Sequence, residues 1–174
     1  MTVTHGRYQI VAPAGFTPVV GALAGMLMHA RESVVDTVKD LTVEQLDHQF
    51  DAKANPIGAL LAHLSSVEWF YQVVSIEGRQ PTGTEWGDSG RFMRLGPATW
   101  QEAKGQTAEQ HLERLAGVRE VTMKGLAAQD DAWLARTFAL PWTTELANHH
   151  WAWYHVVEDE LNHRGQMRWL KGRL

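Results

Sequence analysis

The sequence predicts an all-α protein, a four-helix bundle with a long crossover loop between its second and third helices. Three observations carry this expectation. Apolar residues recur near every 3.6 positions in each long segment, no segment sustains the apolar–polar alternation of a strand, and the stretches between them are rich in Gly, Pro, Thr, Ser and Asp. A chain of 174 residues without a repeat of 20–50 residues is expected to form one domain spanning residues 1–174.

The first helix is expected over residues 16–41, where Val19, Val20, Leu23, Met26, Leu27, Ala30, Val34, Val35 and Val38 trace one amphipathic face. Thr42 and Gln45 have capping-box spacing, which predicts a short helical turn over 43–50. Asn55 and Pro56 read as N-cap and first residue of a second helix reaching Glu77, with Ile57, Leu60, Leu61, Leu64, Val67, Tyr71 and Val74 as its apolar stripe. Residues 78–97 form the crossover, in which Trp86, Phe92 and Met93 are candidate anchors that would cover one end of the bundle and wall a cavity. One turn is expected over 100–104, then a third helix over 107–128, slightly weakened by Gly117 and Gly125. A second irregular connection fills 130–143, and the last helix is expected over 144–170 with Gly172 near its end.

Composition excludes several functions. The formal charge is −4, and 16 Lys and Arg are scattered among 20 acidic residues, so no basic face exists to release phosphate counterions and nucleic-acid binding is not expected. The absence of cysteine removes disulfides, thiolate ligands and a cysteine nucleophile. Residues 1–13 lack the charged-then-apolar pattern of a secretory signal, and no apolar run reaches the ~18 residues of a membrane span, so a cytoplasmic location without membrane contact is expected.

The chemistry concentrates on the last helix. Positions four apart drift by only about 40° and rise about 6 Å, so His155, Asp159 and His163 make a narrow polar stripe, with Asn148 and Gln166 near its line and apolar residues around it. Buried carboxylates and imidazoles without partners cost a few kcal/mol, roughly. A divalent cation would satisfy them, and a carboxylate and imidazole at i and i+4 can share one ion; an ordinary solvated i, i+4 pair is the competing account. His63 is the best candidate from another helix, lying roughly 80° from the centre of its apolar face. Glu68, on the opposite flank, would serve the ligands indirectly or form a surface salt bridge. His29, His48, His111, His149 and His150 have no comparable partners and read as surface, capping or loop residues.

The run from His155 through Asp159 to His163-Arg164-Gly165-Gln166 resembles the last-helix motif of the DinB-like family, where a ligand is followed four residues later by His-Arg-Gly-Gln. The segment from Asn55 to Leu64, with His63 in an apolar run, is similar to that family's second helix. The resemblance spans residues 16–170 and implies a four-helix bundle in which His63, Asp159 and His163 hold one divalent metal ion, zinc or nickel foremost, and leave coordination positions open. Many members carry His where this chain has Asp159, and a second His where it has Asn162. The carboxylate makes the ligand set harder and admits manganese or iron.

The resemblance further implies a metal-dependent transferase that moves a low-molecular-weight thiol onto a small electrophile. His155 and Glu68, from their positions beside the polar stripe and on the flank of the second helix, are candidate catalytic residues for proton shuttling. Metal-assisted hydrolysis is an alternative, as is a stress-associated metal- or ligand-binding bundle without turnover. The outer helix faces leave room for a homodimer under each reading.

Overall fold

The computed structural model describes residues 8–174; that part of the 1–13 stretch preceding Tyr8 lies outside the described residues. Helix α1 (Pro18–Val38) is followed by the short α2 (Val43–Asp47), and α3 (Ile57–Tyr71) runs into a π-helical turn (Gln72–Ile76). Next come α4 (Gly83–Asp88), α5 (Pro97–Ala103) and α6 (Ala108–Ala127). Strands β1 (Thr137–Ala139) and β2 (Leu146–Asn148) pair antiparallel before α7 (His149–Lys171).

The protein is an all-α bundle of α1, α3, α6 and α7. Helix α1 packs on α6 and α7, and α3 packs on the same two. The first two long helices therefore stand diagonally, as do the last two, α1 opposite α3 and α6 opposite α7, unlike a simple up-down bundle with short loops. Helices α3 and α6 are neighbours, so no wide span forces the long segment between them. Its length instead houses α4 and α5, the latter packed on α3.

Several boundaries depart from the sequence expectation, each for a local reason. Asn55 does not cap α3: its Oδ1 accepts from Trp100 Nε1 at 2.7 Å, and Pro56 takes the cap position. The crossover is not wholly irregular, because Thr82 and Glu85 form a capping box that starts α4. Helix α7 starts at His149 instead of Thr144, since β2 occupies the preceding residues and Asn148 Oδ1 caps it by accepting from Trp151 N at 2.8 Å. Gly125 does more than weaken α6. A Cβ there would stand 2.7 Å from Ile76 Cδ1, so glycine permits the close approach of the π-helical turn.

Two of the histidines read as surface, capping or loop residues are buried. His149 stacks on Trp133 and Phe138, with centroids 4.1 and 5.0 Å away, and its Nδ1 lies 2.8 Å from Ser75 Oγ. His111 is buried with no hydrogen-bond partner for Nε2.

The core is divided in two by a buried ionic layer to which each long helix contributes one residue: Arg31, Glu68, Arg119 and Glu160. Arg31 donates from Nη2 to Glu68 Oε2 at 2.7 Å and from Nε to Glu160 Oε1 at 2.7 Å. Arg119 donates from Nε to Glu68 Oε1 at 2.6 Å and from Nη2 to Glu160 Oε1 at 2.9 Å. The remaining guanidinium N–H groups reach the carbonyls of Leu115 and Leu27. On one side of this layer lie Leu27, Phe70, Tyr71, Trp153 and Val156; on the other lie Val34, Leu60, Leu64, Leu115 and Met167.

Burial alone would raise Glu68, but Arg119 and Arg31 outweigh it and hold the carboxyl down at about 2. At Glu160 burial wins over the same arginines, with help from the charge of Glu68, and its pKa is raised. Glu68→Ala should therefore destabilise the fold by ~3–5 kcal/mol in urea unfolding, because a buried guanidinium loses its counter-charge.

The buried histidines generate a pH dependence. Burial, reinforced by Arg114 at His111 and by Arg136 at His149, lowers both imidazoles to about 4. In the unfolded chain they take up protons near pH ~6.5. The unfolded state thus binds more protons between those values, and stability present above about 6.5 is lost as the pH falls toward about 4. Urea midpoints are expected to drop over that window, with a shallower slope in a His111→Gln, His149→Phe double variant.

Candidate metal centre

Helix α3 supplies His63 and α7 supplies Asp159 and His163, and their contact follows from the packing of those two helices. Asp159 and His163 are one turn apart on α7, with Oδ1 to Nε2 at 3.3 Å. His63 Nε2 approaches the other carboxylate oxygen, Oδ2, at 3.6 Å across the helix pair. The imidazoles meet edge to face with centroids 5.0 Å apart, and one ligand atom from each residue lies within 4.8 Å of the others. Ligand atoms held tetrahedrally about 2.0–2.1 Å from zinc stand roughly 3.3 Å from one another, so only small side-chain movements separate this arrangement from a coordination shell.

The outward-facing nitrogens orient the two rings. Phe92 O lies 3.1 Å from His63 Nδ1, and a carbonyl can only accept, so the proton resides on Nδ1 and leaves a lone pair on Nε2. At His163, Nδ1 donates to Gln166 Oε1 at 3.0 Å, which turns Nε2 toward Asp159. Each imidazole is thus oriented by an oxygen acceptor behind it, the usual support of a metal-bound histidine. Asp159 Oδ2 is buried and has no hydrogen-bond partner among the described residues, an expensive state for a carboxylate oxygen unless a cation satisfies it. Two imidazole Nε2 atoms aimed at one carboxylate, and a carboxylate oxygen left unsatisfied, fit a divalent ion. The three residues form a group that could hold one.

Electrostatics inside the group follow the same geometry. Burial lowers His63 against the pull of Asp159. At His163 burial acts downward too, but the hydrogen bond and charge of Asp159, with the Gln166 bond, raise the pKa overall. Burial would raise Asp159, yet its bond to His163 and the charges of His163, His63 and His155 keep it low.

The other expected site residues part company. His155 does not join the group: it is partly exposed, stacks on Trp151 with ring centroids 5.1 Å apart, and places Nδ1 3.2 Å from Glu158 Oε2. It borders the site, and its charge is felt by Asp159. Glu68 is directed elsewhere. It is neither a surface ion pair nor placed with the ligands, because its carboxylate is sealed between Arg31 and Arg119 in the ionic layer. Tyr71, counted in the sequence only as an apolar-stripe residue, belongs near the site. Its ring lies edge-on to His155, and burial together with the Asp159 charge raises its phenol well above the ordinary range.

The fold and this two-histidine, one-carboxylate group define a DinB-like bundle. A model of the mycothiol-S-transferase family matches residues 22–174, and the chain belongs to that family. Among solved structures, a conserved protein from Enterococcus faecalis is similar at 16% identity, with a TM-score of 0.66 over 88% of this chain and 95% of that one, a likeness of fold. No curated protein matches the chain.

Because Gln166 orients the His163 ring, Gln166→Leu is expected to weaken zinc binding by ~10–100-fold in calorimetric titration while leaving the helix content unchanged.

Proposed function

We propose that the protein is a divalent-metal-dependent enzyme that transfers a low-molecular-weight thiol to a small electrophile, with His63, Asp159 and His163 as ligands. The observation that carries this reading is the pairing of two imidazoles whose Nε2 atoms face inward with a buried carboxylate oxygen that has no hydrogen-bond partner among the described residues. Three protein ligands leave positions for an external group, as catalytic sites do. The family match supports mycothiol as the thiol donor, and the lack of cysteine in the chain requires that the sulfur come from outside.

A bound divalent ion supplies Lewis acidity that lowers the pKa of a coordinated thiol as it does that of water. The residues around the centre then divide the remaining work. The imidazoles suit zinc or nickel, and Asp159 sets the net charge of the ligand group and, as a hard donor, admits manganese or iron. His155, half-exposed at the border and oriented by Glu158, takes the thiol proton to solvent. Tyr71 stays protonated and closes the buried side. The new bond joins sulfur to the electrophilic carbon, and the leaving group departs with its electron pair.

The test combines metal analysis with product detection. Protein purified without an affinity tag should hold about one divalent ion per chain and convert mycothiol and an activated aryl chloride into thioether and chloride. Asp159→Ala and His63→Ala should lose both metal and turnover, whereas His155→Ala should keep the metal and turn over more slowly. Full metal content in Asp159→Ala and His63→Ala would overturn the ligand assignment. Metal retention without thioether formation would favour a hydrolase or a non-catalytic binding bundle.

A further inference from the structure

A cavity of about 600 Å³ lies between the crossover and the hairpin tip, lined by Trp86, Gly90, Arg91, Met93, Arg94, Ala98, Thr99, Pro141 and Trp142. Resting on the thiol-transfer reading, we propose that it is the electrophile subsite and that it selects compounds with a flat apolar body and an anionic group.

Its walls account for the apolar part. Trp142 packs on Phe70 at 5.2 Å between centroids while remaining 56% exposed, and Trp86 stacks on the same Phe70 at 5.7 Å. Large aromatics held rigid from behind and left open in front form a ligand wall, since their area is available without further ordering. Gly90 keeps the wall tight. A Cβ at that position would meet Trp69 Cζ3 at 2.8 Å and would collide with Trp86.

The cations account for the anionic part. Among the described residues the Arg94 side chain makes no ion pair or hydrogen bond, whereas Arg91 has only Glu102 at 3.6 Å and the face of Phe92 at 4.7 Å. A guanidinium bordering an apolar cavity binds a carboxylate more strongly than one in open water, because the local dielectric is lower.

A shared stretch of backbone links the cavity to the metal centre. The segment that lines it through Gly90, Arg91, Met93 and Arg94 also holds, at Phe92, the carbonyl that orients His63. An aryl halide seated there reacts by carbon–sulfur bond formation and carbon–chlorine cleavage, chloride leaving with the bonding pair and the thiol proton passing to solvent.

Calorimetry on the metal-loaded protein without thiol tests the proposal, with 4-chloro-3-nitrobenzoate as the anionic probe and 1-chloro-2,4-dinitrobenzene as the neutral one. Arg94→Ala should weaken benzoate binding about tenfold and leave the neutral probe unaffected, and Trp142→Ala should weaken both. Both side chains are exposed, so thermal melts should confirm unchanged folding. Equal binding of both probes to wild type and both variants would overturn the subsite. If binding follows the expected pattern but no thioether forms with mycothiol, the subsite stands and the thiol-transfer reading falls. If thioether forms with a KM for the benzoate untouched by Arg94→Ala, the reverse holds.

Discussion

Arg31, Glu68, Arg119 and Glu160 meet where the four long helices would otherwise bury only hydrocarbon, and their geometry limits how those helices can turn about their axes. Apolar side chains tolerate rotation of a helix by several degrees, but charge-assisted hydrogen bonds among two guanidiniums and two carboxylates do not. On α7 the consequence reaches the metal group directly. Glu160 faces the bundle interior, so Asp159 is turned about 100° and His163 about 60° to the same side of it, which directs both at α3. The ionic layer thereby fixes the face that α7 presents to His63. A hydrophobic replacement of the whole layer could match its stability, because buried ion pairs often do little better than well-packed hydrocarbon. Its contribution here is orientation.

The sequence made the long helices readable because their apolar spacing depends only on the chain itself. It also brought forward His63, Asp159 and His163, the latter two because i, i+4 residues must be neighbours on any helix. The ionic layer lies in the same pattern but is harder to read. Arg31 follows Leu27 by four residues, Glu68 follows Leu64, Arg119 follows Leu115 and Glu160 follows Val156, so each charge sits on an apolar stripe. One such charge reads as a flank residue, and only two of each sign, one per long helix, reveal a closed set. Glu68 read alone gave a proton shuttle.

Other features depended on partners distant in sequence. His149 lies beside exposed His150, and nothing local distinguishes them, yet Trp133, Phe138 and Ser75 enclose the first. The β-hairpin has strands of three residues, too short to display alternation. Asn55 followed by Pro56 carries every local mark of a cap, but Trp100 from α5 takes the Asn oxygen. A helix end with an exposed alternative satisfies its first N–H groups from water, whereas a part-buried indole N–H gains more from a protein acceptor.

The crossover connects the readable and unreadable parts. Its length suggested a cover with aromatic anchors, and Phe92 is indeed buried against Ala59, Ala62 and Ala103, while Ser66 Oγ donates to Ser89 O at 2.5 Å to hold the segment on α3. These small residues on α3 let the backbone of the crossover come close enough for Phe92 O to reach His63 Nδ1. Burial of the ring and orientation of the imidazole are therefore one event. A crossover lifted from α3 would leave His63 free to adopt either tautomer and to rotate its Nε2 away from Asp159. The readiness of the candidate metal centre depends on the docking of a loop that itself contributes none of the three ligands.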